Sequence, residues 1–106
     1  MITDKNYKEH MSGLQVIEVS GESCANCLTL MPMLFEVVHA RTDISLLHVE
    51  AGDETKVFLE EYKIERVPTV LLVDNGVEFA RAVGFQPQEI FELWLDAMIE
   101  EHVQAK

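Results

Sequence analysis

Cys24 and Cys27, the only two cysteines of this 106-residue chain, stand three positions apart between a strand-like run and a helix-like run. That spacing suits thiol–disulfide chemistry: sulfurs one helical turn apart reach each other, so one thiol attacks a disulfide and its neighbour resolves the mixed product. Two other readings compete. Cys-x-x-Cys is also half of many zinc sites, but zinc usually takes four ligands, and His10, His39, His48 and His102 are scattered without ligand-like spacing. A structural pair filling a buried helix face is the third reading. No metal site is expected.

An ordinary thiol with a pKa of ~8.5 is only about 3% ionised at pH 7. A reactive cysteine therefore needs surroundings that favour the anion. The start of a helix supplies them, through the unpaired N–H groups of its first turn and the positive end of its macrodipole. A strand must deliver the cysteines to that point. Leu14-Gln15-Val16-Ile17-Glu18-Val19-Ser20 reads as this strand, β-branched and partly alternating. From Cys24 to about Arg41 the pattern turns helical, with Cys27, Leu30, Met31, Leu34 and Val38 on one face. Pro32 lies inside it and is expected to kink the helix. Leu28 and Phe35 fall off that face. The expected placement packs them under the N-terminal segment; the alternative leaves Leu28 exposed beside the cysteines.

The remaining elements complete an α/β pattern. Thr3 to Met11 suggests a short amphipathic helix with Tyr7 and Met11 inward. Ile44 to Val49 is a second strand, and Asp53 is placed to cap a helix carrying Val57, Phe58 and Tyr62 on its inner side. Val67 to Val73, Asp74-Asn75-Gly76 and Val77 to Val83 read as a hairpin around an Asn-Gly turn. Pro87 opens a last helix with Ile90, Phe91, Trp94, Leu95 and Met98 in one stripe. The order α-β-α-β-α-β-β-α predicts an α/β fold with a mixed sheet, as a single domain over residues 1–106.

Composition narrows the setting. No apolar run approaches the ~18 residues of a membrane span, and Met1 to Met11 has no apolar core or small-residue cleavage site of a secretory signal. A cytoplasmic location is expected, where a lone cysteine pair is more often catalytic or redox-sensing than structural. With 19 acidic against 8 basic residues, a formal charge of −11 argues against nucleic-acid and anionic-membrane partners.

Cys24-x-x-Cys27 between strand and helix, Pro32 five positions on, Val67-Pro68-Thr69 heading a hairpin strand, Gly76 in its turn and Gly84 at its end together resemble the thioredoxin family across nearly the whole chain. The resemblance implies a thioredoxin-like fold whose four-stranded mixed sheet is flanked by helices, without the family's extra N-terminal strand. It implies a dithiol–disulfide oxidoreductase that reduces protein disulfides, with Cys24 as nucleophile and Cys27 as resolving thiol. Pro68 becomes a cis-proline facing the cysteines. Ser23, Ala25, Asn26, Val67, Pro68 and Gly84 become the substrate-binding residues. The redox group is the Cys24–Cys27 disulfide itself, with no other cofactor. The partners are protein disulfides, and a thiol–disulfide reductase as electron donor.

Several positions depart from the family pattern. Ser23 and Ser20 replace tryptophans, Ala25-Asn26 replaces Gly-Pro, and Leu28 replaces a basic residue. Glu18 takes the family's buried acidic position, while the usual lysine partner is expected to be missing because Val49 falls there. Glu18 is then either the buried acceptor of the Cys27 proton or an outward-facing polar residue; alternation leaves both open. Asn26 adds a first-turn N–H that a proline would lack, expected to point at the Cys24 sulfur. Loss of the flanking tryptophan and gain of Leu28 support a second reading, a thioredoxin-like binding or redox-sensing module with little turnover.

Overall fold

The computed structural model describes residues 1–105. Strand β1 (Leu14–Ser20) leads to helix α1 (Ala25–His39), then β2 (Ser45–Glu50), helix α2 (Lys56–Glu61), the hairpin β3 (Thr69–Asp74) and β4 (Val77–Val83), and helix α3 (Gln88–Gln104). The sheet order is β2-β1-β3-β4, with β1 and β2 parallel and the other neighbours antiparallel. This is the expected four-stranded mixed sheet.

β1 runs through the middle and is buried from Gln15 to Ser20. One sheet face carries Val16, Val70 and Leu72 against Leu30, Leu34 and Val38 of α1 and Phe91, Leu95 and Ile99 of α3. The opposite face carries Ile17, Val19, Val49, Leu71 and Val73 beneath Tyr7, Phe58 and Tyr62. Alternation along β1 therefore feeds two cores from one strand.

The register gathers four chain segments at one end of the sheet. Ser20 pairs with Glu50, Val19 with Thr69, and Thr69 with Val83. The loop leaving β1, the chain leaving β2, the chain entering β3 and the chain leaving β4 must all meet there. Packing holds this junction close: a Cβ on Gly21 would lie 2.8 Å from Val67 Cγ2, so only glycine lets the loop before Cys24 approach the segment before β3 this closely. At the other end, Asn75 and Gly76 take φ of 52° and 84°, the positive values an Asn-Gly hairpin turn requires.

Some local expectations change. The N-terminal segment forms only a 3₁₀ turn at Tyr7–His10, although Tyr7 is buried as expected. Asp53 starts a 3₁₀ turn and does not cap α2. That part falls to Asp4, whose carboxylate accepts the N–H groups of Val57 and Phe58, both at 3.0 Å. Val57 faces outward at 55% exposure, whereas Phe58 and Tyr62 are buried. Pro32 lies inside α1, as read. Leu28 is 80% exposed and Phe35 48%, so neither packs under the N-terminal segment: the 3₁₀ turn lies over the opposite core.

Candidate active site

Cys24 is the N-cap of α1. Its backbone is still extended, and its sulfur accepts the N–H of Cys27 at 3.2 Å. Cys27 lies one turn inside and is 4% exposed, while Cys24 is partly exposed. The two form a disulfide with Cα atoms 5.3 Å apart. A thiolate at Cys24 would sit at the positive end of α1, where a helix start favours negative charge. Of the two first-turn N–H groups that a cap side chain can meet, those of Asn26 and Cys27, it is the Cys27 N–H that donates to Sγ.

The Val67–Pro68 peptide bond is cis, and the Gly84 N–H donates to the Pro68 carbonyl at 2.8 Å. Val67 reaches the cysteine loop through Gly21. Ser23, Ala25 and Asn26 are exposed around Cys24, with Ser23 at φ 59°. A groove of about 670 Å³ opens between the start of α1 and the end of β2, lined by Ser20, Ser23, Cys24, Ala25, Cys27, Leu28, His48 and Glu50 among others.

Glu18 resolves to the buried alternative, with 0% exposure. The Ser20 hydroxyl donates to its Oε2, and His48 Nδ1 lies 2.6 Å from its Oε1. The other ring nitrogen of His48 is 3.2 Å from Glu50 Oε2. Both carboxylate oxygens of Glu18 thus have partners, which a buried carboxylate needs. The partner of Glu18 on β2 is His48 and not Val49. In-register parallel pairing sets His48 directly beside Glu18, whereas Val49 is buried on the far face. The signal was present in the strand itself, since His48 interrupts an apolar run and shares its parity with Glu50.

No group of histidine, cysteine and carboxylate side chains among the described residues is arranged to hold a metal ion. No helix among them is long and apolar enough to cross a membrane.

Residues 1–97 match the thioredoxin family. This chain is a member of the thioredoxin family. It is 30% identical to the thioredoxin of Chlamydia pneumoniae over 107 residues, covering 96% of each chain. It is 27% identical to that of Staphylococcus haemolyticus, covering 83% of this chain and 86% of the other. Among solved structures, that of Chlamydomonas reinhardtii thioredoxin f2 superposes with a TM-score of 0.79 at 21% identity, covering 95% and 93% of the two chains, a likeness of fold. Family membership and a Cys-x-x-Cys pair at bonding distance make this protein a dithiol–disulfide oxidoreductase.

Proposed function

We propose that the reduced protein acts on disulfides of protein substrates, with Cys24 attacking and Cys27 resolving. The asymmetry between the two sulfurs carries this assignment: Cys24 is accessible at the helix start with an N–H on its sulfur, and Cys27 is buried behind it. The Cys24 thiolate attacks one substrate sulfur, forming a mixed disulfide and releasing the other sulfur as a thiolate. Cys27 then gives up its proton and attacks Cys24 Sγ, which releases the second substrate thiolate and leaves the Cys24–Cys27 disulfide. Glu18 accepts that proton, directly or through one water, because it lies just behind the groove wall formed by Ser20, His48 and Cys27.

Substrate backbone lies along Val67, the cis-Pro68 and Gly84, with Ser23, Ala25 and Asn26 on the facing side. The disulfide is the only redox group this cycle uses, so a separate thiol–disulfide reductase must return two electrons per turnover. A reducing compartment such as the cytoplasm suits that cycle. Catalytic reduction of a protein disulfide by the purified protein, with dithiothreitol as electron source, tests the reading. Rates no higher than with dithiothreitol alone would leave a binding or redox-sensing module in its place.

A further inference from the structure

We propose that His48, together with Glu50, forms the proton exit of this site, carrying to water the proton that Glu18 takes from Cys27. The inference rests on the preceding reading of Glu18, and it comes from counting protons. The Glu18–His48 contact at 2.6 Å and the His48–Glu50 contact at 3.2 Å each need one hydrogen to be hydrogen bonds. Two protons are therefore shared among three groups. They occupy the imidazolium between two carboxylates, or a protonated Glu18 beside a neutral ring that keeps its Nε2–H toward Glu50. The two arrangements interconvert by moving one proton between Nδ1 and Oε1, with every contact kept.

Exposure gives the chain a direction. Glu18 is fully buried, while the side chains of His48 and Glu50 are 43% and 51% exposed. When Glu18 gains the Cys27 proton on Oε2, its Oε1 still accepts the Nδ1–H while the Ser20 hydroxyl turns to accept from Oε2. The carboxyl no longer balances the imidazolium charge, and the ring gives up its outer Nε2–H to Glu50 or water. The sum is one proton moved from Cys27 Sγ to solvent, with nothing oxidised or reduced along the relay. The groups facing His48 are Glu18 and Ser20 from β1 and Glu50 from its own strand. α1 contributes the two cysteines to the groove, its Glu36 and His39 being exposed, and no lysine or arginine lines it. Imidazole suits this position because it alone among side chains ordinarily gains and loses a proton between pH 5 and 8. His48 acts through Glu18 and is a positioning residue.

Rapid mixing of the reduced protein with a dipyridyl disulfide separates the steps, since one pyridinethione leaves on attack by Cys24 and a second on resolution by Cys27. His48→Gln keeps an amide N–H for Glu18 but cannot pass a proton on. It should release the first pyridinethione at the wild-type rate and the second about tenfold or more slowly. Imidazole added to His48→Ala should restore the second step, and should not restore Glu18→Gln. Resolution at the wild-type rate in His48→Gln, or no response of His48→Ala to imidazole, overturns the relay. If Glu18→Gln also resolves at the wild-type rate, the assignment of Glu18 falls with it; if only Glu18→Gln is slow, the relay alone falls.

Discussion

The two faces of β1 are equally buried and chemically opposite. Ile17 and Val19 point into a core of Val49, Leu71, Val73 and Phe58, a face sealed by packing. Val16, Glu18 and Ser20 point beneath α1, where the apolar pattern ends after Val16 and a carboxylate, a hydroxyl and an imidazole take over toward the cysteines. Burial excludes water from both faces, but only one of them puts that exclusion to chemical use. A buried carboxylate held by two hydrogen-bond partners is costly to desolvate, so the site face should be limited by chemistry and the far face by stability.

Cysteine substitutions should give the largest effects, all on the site face. Cys24→Ser should abolish exchange and trap no substrate, whereas Cys27→Ser should still attack and accumulate mixed disulfides visible on non-reducing gels. Equal trapping by both would reverse or erase the assigned roles.

Neighbouring positions on β1 sharpen the contrast. Ile17→Ala should cost about 2–5 kcal/mol in denaturant unfolding, the usual range for truncating a packed core side chain, with exchange rates unchanged below the transition. Glu18→Gln should do the reverse. Glutamine keeps both contacts, accepting from His48 and donating to Ser20, and it removes a buried charge. Stability should hold or rise by on the order of 1 kcal/mol, while resolution of the mixed disulfide slows by about 10²-fold. A Glu18→Gln protein that unfolds early and resolves normally would mean that the two faces do not differ in the way described.

A smaller effect belongs to Tyr7, buried on the far face with its hydroxyl donating to Glu61. That hydrogen bond, followed by burial, pushes the phenol from its ordinary 10.0 up to about 12. A phenol whose folded-state value is raised stabilises the fold below its unfolded value and loses that contribution as pH rises through the folded one. Tyr7→Phe should therefore cost about 1–2 kcal/mol, constant up to about pH 10 and shrinking toward pH 12, readable by chemical unfolding across that range.

The smallest effect is expected at Asn26. Its replacement by proline leaves the Cys27 N–H on Cys24 Sγ, and the first turn of a helix tolerates proline. The reduction potential, measured by equilibration with a dithiothreitol buffer, should move by less than about 30 mV, equivalent to ~1.4 kcal/mol for two electrons. A larger shift would show that the Asn26 N–H also supports the thiolate.

Most of the frame was legible in the sequence because it rests on local signals. β1 runs from Leu14–Ser20 as read, the Asn75-Gly76 turn fixes the hairpin, and the α3 stripe buries Phe91 and Leu95. What could not be read depends on pairing across the chain. His48 is identified as the partner of Glu18 only by the β1–β2 register, which no local pattern in either strand specifies. Ser20 looks like a mere loss of tryptophan until its hydroxyl is seen on Glu18. Ile90 has the stripe's spacing yet is 54% exposed, because the buried face of α3 is centred on Phe91, Leu95 and Ile99 and Ile90 falls at its edge.

Asp4 ties distant parts of the chain into a single event. α2 has six residues, far short of the ~12–15 at which an isolated helix becomes even marginal in water. Its first free N–H groups are answered from 53 and 54 residues away, and the Asp4 N–H donates in turn to the Glu54 carbonyl at 2.7 Å. The helix and the opening residues of the chain thus order together or not at all. In hydrogen–deuterium exchange, the amides of Val57 and Phe58 should share one opening rate with the segment that holds Tyr7, as a single cooperative flap over the far side of the sheet.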